Sequence, residues 1–371
     1  MKKGWQTKKL ADVILDIKDG GTPSRKNPGY FGGDIYWCVV KDIKPLIFDT
    51  AEKLTEEGLS NCSAKVWPVD SVIISLGATI GQIGIAKVPT ATKQGLAGIV
   101  LNKQMMTPEF LAYGLLDQKE YIQSLATGAT IKEIRPTRFA ETIQIPVPPL
   151  PEQQRIVGIL DEAFEGVATA KANAEKNLQN ARALFESHLQ SVFTKRGEGW
   201  VEKNFDDICV LQRGFDLPTH SRKEGIFPLV SSNGITDRID TWKVKAPGVV
   251  TGRSGTIGNV HYIEEDYWPL NTSLYIKDFH GNYERYIYYF LKQFDLSKYS
   301  SGAGVPTLNR NNVHGVKVWF PKDTAEQKSI ATKLDALSEE TQRLESIYQQ
   351  KLAALEALKK SLLNQAFSGE L

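Results

Sequence analysis

From Glu152 to Thr194 no proline interrupts the chain, and Ile156, Leu160, Ala163, Val167, Ala170, Ala174, Ala181 and Leu184 return at helical spacing, mostly in steps of four and three. Apolar positions spaced this way form the seam of an α-helix that pairs with another helix. Residues 325–367 repeat the pattern with Ile330, Leu334, Leu337, Leu344, Tyr348, Leu355, Leu358 and Leu362. The first seam is rich in alanine and the second in leucine, so small side chains face large ones and the two helices are expected to pack closely. Gly197 and Gly369 stand just beyond the two stretches, where glycine commonly stops a helix. At 1.5 Å per residue, about 40 residues make a rod of roughly 60 Å. Phe164, Phe185, Phe193 and Phe367 lie off the seam and are candidates for docking partner helices or for packing on the chain's own domains.

The segment before each helix reads differently. Short β-rich runs such as Val72-Ile73-Ile74-Ser75 and Gly98-Ile99-Val100-Leu101 sit between Gly, Pro and Asn clusters, and a helix is expected from Pro108, with Phe110, Leu111, Leu115 and Tyr121 at its spacing. The order then repeats. Trp5-Gln6 is answered by Trp200-Val201, Ile73-Ile74-Ser75 by Val249-Val250-Thr251, and Thr79-Ile80-Gly81 by Thr256-Ile257-Gly258. Thr127-Gly128-Ala129, Glu152-Gln153, Leu160-Asp161 and Phe193-Thr194 are answered by Ser301-Gly302-Ala303, Glu326-Gln327, Leu334-Asp335 and Phe367-Ser368. The period is half the chain, so each copy is large enough to bury its own core. The expected architecture is two similar α+β domains, 1–147 and 197–321, each followed by a long helix, 148–196 and 322–371. A homodimeric coiled coil is the alternative for such seams, but a chain holding two copies of one helix can satisfy both internally. Antiparallel pairing would give a pseudo-two-fold object with the globular domains at opposite ends.

Composition narrows the classes. At 371 residues with 41% hydrophobic and 24% charged positions, the chain is an ordinary globular protein. No apolar run approaches the roughly 20 residues that span a bilayer, and Met1-Lys2-Lys3-Gly4-Trp5 is not followed by a signal core, so a cytoplasmic protein without membrane contact is expected. Cys38, Cys62 and Cys209 are isolated and odd in number, which offers neither a disulfide framework nor a metal knuckle. The five histidines show no ligand spacing, and no metal site is expected. A net charge of +2 means that contact with a polyanion must come from local placement of Lys and Arg.

The run Pro146-Val147-Pro148-Pro149-Leu150-Pro151-Glu152-Gln153-Gln154-Arg155-Ile156-Val157, with Leu160-Asp161 after it, resembles the specificity subunit of type I restriction-modification systems. So do the Trp5–Leu10 opening, the Gly77-Ala78-Thr79-Ile80-Gly81 turn and the Phe367-Ser368-Gly369-Glu370-Leu371 segment, in the same order along the whole chain. The second copy, Pro321-Lys322-Asp323-Thr324-Ala325-Glu326-Gln327-Lys328, keeps the Glu-Gln pair and loses most prolines. The resemblance implies two target recognition domains that each read half of a split double-stranded DNA sequence, with the helix pair setting the unread spacer. It also implies two methyltransferase subunits as partners, restriction subunits in a complete complex, and no cofactor here, S-adenosylmethionine being held by the methyltransferase.

Base readout needs Arg, Lys, Asn and Gln on loops, with further cations and hydroxyls on phosphates. The first copy offers Thr22, Ser24, Arg25 and Lys26 after Gly20-Gly21, then Lys132, Arg135 and Arg138. The second offers Arg213, His220, Arg222, Lys223, Asn233 and Arg238, then Arg253 and Ser254 in a Gly-rich turn, and Asn309, Arg310, Asn311 and Asn312. The basic loops differ where the frames agree, which points to an asymmetric bipartite target. Catalysis has little support. The Gly-rich turns lack the Gly-Lys-Ser/Thr of a nucleotide loop, Asn27-Pro28-Gly29-Tyr30 lacks the second proline of a methyltransferase segment, and Asp206-Asp207 and Glu264-Glu265-Asp266 are simple acidic runs. A coiled-coil scaffold whose globular halves bind protein is the alternative, and salt dependence separates the two readings.

Overall fold

A computed structural model describes residues 4–77, 79–127, 133–195, 197–302 and 306–371. The chain folds into two compact units, Met1–Ala174 with Lys351–Leu371, and Glu175–Gln350. The first long helix runs Leu150–Thr194 and the second Thr324–Ser368, each 45 residues. Gly369 follows the second at φ +88°, a left-handed backbone that glycine adopts without strain. Among the described residues no helix is long and apolar enough to cross a membrane.

Each unit contains the same sheet. In the first, strands Ile14–Asp19, Leu96–Leu101, Val72–Ser75 and Ile83–Ala86 lie side by side in that order, with Leu46–Ile47 at the edge. In the second the order is Val210–Arg213, Ser273–Asp278, Gly248–Gly252 and Val260–Ile263. The registers agree. Ile74 pairs with Ala97, which pairs with Asp19; Thr251 pairs with Leu274, which pairs with Arg213, so Val72-Ile73-Ile74 answers Val249-Val250-Thr251, one residue off the match read from the sequence. A two-stranded ribbon closes each unit, Gln6–Lys9 with Gln144–Val147, and Trp200–Asn204 with Lys317–Pro321. Both are antiparallel, and both lead into a 3-10 turn whose first amide donates to the matching carbonyl, Leu10 to Ile143 and Phe205 to Val316.

The short helices Pro108–Asp117 and Glu284–Gln293 cover the sheets, and here the Glu-Gln motif explains itself. Gln153 is fully buried: its Oε1 accepts from Thr107 N at 2.9 Å, and its Nε2 donates to Met105 O at 2.8 Å and Pro148 O at 2.9 Å. Gln327, also fully buried, accepts from Tyr283 N at 2.8 Å and donates to Asn282 Oδ1 at 2.9 Å and Pro321 O at 3.1 Å. Each glutamine therefore ties the start of a long helix to the N-cap residue of the short helix, Thr107 or Tyr283. Two turns on, the paired aspartates repeat the tie. Tyr113 OH donates to Asp161, while Tyr289 OH and Arg285 Nε both reach Asp335 at 2.6 Å. Burial and the Asp161 carboxylate push the Tyr113 hydroxyl well above the ordinary tyrosine range.

Within each unit the helix segments run antiparallel. In the first, Arg155 Nη2 donates to Leu371 O at 2.7 Å and Lys171 pairs with Glu356 at 2.7 Å. In the second, Arg182 pairs with Glu345 at 3.0 Å, while Phe185 and Leu189 share a core with Ala331 and Leu334. Ile156, Leu160, Ala174 and Leu334 are buried, and Val167, Leu337, Leu344 and Leu355 are half-buried. The seam departs from the expected one at two places. Leu184 is 62% exposed while Phe185 is 8% exposed, because this stretch also packs on the short helix, where Lys292 lies 5.1 Å over the Phe185 ring. Leu358 likewise faces solvent, and Leu363 and Ala366 are buried instead.

The off-seam phenylalanines pack on their own units. Phe367 meets Phe110 at 4.9 Å between centroids, Phe193 meets Tyr286 at 5.4 Å, and Phe164 meets Tyr113 edge-on at 5.4 Å. Phe185→Asp would thus bury a charge and unfold its surroundings, so it does not report on partner docking. Gln153→Ala and Gln327→Ala each strand one amide and two acceptors. Each is expected to cost about 2–4 kcal/mol in the unit that contains it, read as a lowered midpoint in denaturant unfolding.

Candidate nucleic-acid interface

In the first unit the backbone at Gly20-Gly21 admits no side chain. A Cβ on Gly20 would lie 2.1 Å from Thr92 O, and one on Gly21 would lie 2.3 Å from Ala64 N. Trp37 Nε1 donates to Gly21 O at 3.1 Å and fixes the turn, which leaves Thr22, Ser24, Arg25 and Lys26 exposed beyond it. Arg25 is held: Nη1 lies 2.6 Å from Glu52 Oε2, and the guanidinium sits 4.6 Å over Phe31 and 5.5 Å over Trp37. That pairing lowers the Glu52 carboxyl below its usual range. Arg135 is the N-cap residue of the Pro136–Thr142 helix and Arg138 lies on it, both exposed. Lys132 lies outside the described residues.

In the second unit the candidates fall into two groups. Gln212, Arg213, Arg253, Asn309, Arg310 and Asn311 line one open cleft of about 710 Å³. Arg213 Nη2 contacts both Asp216 oxygens at 3.2 Å, and Asn271 Nδ2 donates to the same carboxylate. Arg253 Nη1 donates to Asn271 O at 3.2 Å. Arg310 makes no ion pair among the described residues. Ser254 sits at the rim, its amide donating to Thr272 O at 3.2 Å and its backbone bridging to Thr307.

Arg222, Lys223 and Arg238 line a smaller cleft of about 330 Å³. There Arg238 is clasped by Glu265 at 2.7 and 2.9 Å, and Arg222 Nε donates to Leu217 O at 3.2 Å. His220 lies on the 3-10 turn just before them, exposed. Asn233 lies apart, its Oδ1 accepting from Thr256 Oγ1 at 2.7 Å. Gln212, Asp216 and Asn271 are the members that sequence reasoning missed. No periodicity marks them; Gln212 lines the cleft, and Asp216 and Asn271 hold two of its arginines.

The shared frame lets the copies be compared position by position. Ile134 N donates to Leu76 O, and Leu308 N donates to Arg253 O, each at 2.8 Å, so Leu76 corresponds to Arg253. The sheet register likewise sets Asp19 and Gly20 against Arg213 and Gly214, the two glycine amides donating to Leu96 O and Ser273 O, and counting on from Leu308 sets Arg135 and Pro136 against Asn309 and Arg310. Three cationic positions of the second copy are thus Asp, Leu and Pro in the first.

His314 underlies this cleft. Its Nε2 accepts from Leu211 N at 3.2 Å, which requires the neutral ring, and burial holds its pKa below the ordinary histidine value. A histidine depressed in the folded state supports stability above its unfolded value of about 6.5, and loses that support as pH falls below it. Between pH 7.5 and 5.5 the second unit's melting temperature is expected to fall less in His314→Gln than in the parent, which thermal denaturation followed at both pH values would read.

Two stretches of the chain, residues 2–179 and 197–356, match the family model described as type I restriction modification DNA specificity domain. The MjaIX type I restriction enzyme specificity subunit of Methanocaldococcus jannaschii is 29% identical over 240 residues, 58% of this chain and 54% of that protein. The EcoprrI specificity subunit of Escherichia coli is 24% identical over 333 residues, 83% of this chain and 82% of its own length. The fold is shared with a chain solved in a study of complex assembly and conformational transition of the type I R-M system. That match has a TM-score of 0.83 at 20% identity over 100% of this chain and 99% of the other. It is also shared with the HsdS subunit from Thermoanaerobacter tengcongensis, with a TM-score of 0.64 at 20% identity over 100% and 98%.

Proposed function

We propose, because this chain belongs to the family of type I restriction modification DNA specificity domains, that it recognises an asymmetric, bipartite double-stranded DNA target, each globular domain reading one half. The observation that carries this is a single frame present twice with different side chains at matched positions: Arg213, Arg253 and Arg310 in one copy, Asp19, Leu76 and Pro136 in the other. A common frame presents each reading surface in the same way, and unlike side chains read unlike sequences. The paired helices set the unread spacer and carry two methyltransferase subunits. In this reading the chain makes and breaks no bonds. Methyl transfer from S-adenosylmethionine, and cleavage where restriction subunits join, belong to those partners in the cytoplasm.

The direct test is long-read detection of modified bases in DNA exposed to the chain together with the methyltransferase subunits of its own system. A split motif with two unlike halves and a fixed gap is the expected result, and a contiguous motif would mean that one domain alone reads DNA. Association of that complex with its target should weaken by on the order of 10³-fold or more between about 50 and 200 mM salt, as phosphate neutralisation demands. Binding indifferent to salt would favour a protein-binding scaffold.

A further inference from the structure

Within the reading just given, the second unit's cleft carries a more specific assignment. Arg213 and Arg253 are joined through one hydrogen-bonded network: Arg213 on Asp216, Asp216 on the Asn271 side chain, and the Asn271 carbonyl on Arg253. Both arginines line the same cleft, and both keep N–H groups that the network does not use. A guanidinium held by its own protein loses less freedom on binding, and its planar fork matches the O6 and N7 acceptors of guanine in the major groove. Arg310 lines the same cleft with no such support, which suits a phosphate contact that needs charge and not a fixed plane. The first copy does not do the same: its counterpart of Arg213 is Asp19, a carboxylate that accepts from Gly95 N, and its counterpart of Arg253 is Leu76.

We propose that Arg213 and Arg253, positioned by Asp216 and Asn271, read guanine in one half of the target, and that the first domain reads its half without arginines at these places.

The experiment is motif mapping by long-read modified-base detection with Arg213→Lys, Arg253→Lys and Arg310→Lys variants, each assembled with the methyltransferase subunits. Lysine keeps the charge but loses the bidentate fork, so it separates base reading from phosphate contact. Arg213→Lys and Arg253→Lys are expected to lose on the order of ten- to hundredfold in discrimination at a G·C pair of one half-site. The other half and the gap should stay unchanged. Arg310→Lys should leave the motif as sharp as the parent's. Asn271→Ala, which frees the Asp216 carboxylate but keeps the 271 carbonyl, should blur the same half through Arg213. Unchanged melting temperatures would exclude a folding defect. A bipartite parent motif that stays sharp in both Arg213→Lys and Arg253→Lys would overturn the inference while leaving the proposed function standing. A parent complex that modifies no split motif would overturn both.

Discussion

Two buried glutamines hold this molecule in register. Gln153 and Gln327 each spend their amide on three partners, and each set of partners joins a long helix, the short helix covering the sheet, and the strand that closes the domain. Only one orientation of each amide satisfies the site, since Oε1 faces an N–H and Nε2 faces acceptors. A buried amide of this kind is strongly specifying, because any slip of the helix by one residue leaves three polar groups without partners. The aspartate ties at Asp161 and Asp335 add a second point of attachment, and two points fix a direction. Everything the domain presents is presented from that anchored frame.

The frame and the reading surface follow different physical rules. Where the copies match, they match in buried positions: Leu160 and Leu334, Val72-Ile73 and Val249-Val250, the glutamines themselves. Where they differ, they differ at the strand ends and turns that surround the second unit's cleft. Gly20 and Gly214 mark the boundary, for neither has room for a side chain, while the residues just before them differ, Asp19 in one copy and Arg213 in the other. A duplicated scaffold can thus keep its core while each copy acquires its own recognition chemistry, because loop substitutions cost little stability and core substitutions cost much.

Much of this was legible in the chain. The heptad spacing located both long helices to within two residues, and the paired Glu-Gln and Leu-Asp dipeptides marked their starts, because helix periodicity and internal repetition are local signals. The failures were places where a distant partner decides the outcome. Leu184 looked like the next seam residue, yet Phe185 is buried because the short helix Glu284–Gln293 widens the apolar stripe there. Arg25 and Arg238 stand out in the chain as cations, but nothing local shows that each is clasped by a glutamate 27 residues away. Asp216 and Asn271, 55 residues apart, meet only through the sheet register. For the off-seam phenylalanines the sequence left open partner docking or packing on the chain's own domains, and they join the domains' own cores.

The account rests on the claim that the frame is common and the loops alone decide what is read. Leu10 and Phe205 occupy equivalent places, as do Ile143 and Val316, by the same closing hydrogen bonds. The most direct measurement replaces residues 205–316 with residues 10–143, keeps both ribbons and both glutamines, and maps the motif modified by the assembled methyltransferase complex. Two identical half-sites, both those of the first domain, are the expected result. A motif that retained the parent's second half would contradict the account, because recognition would then reside in the frame or the helices.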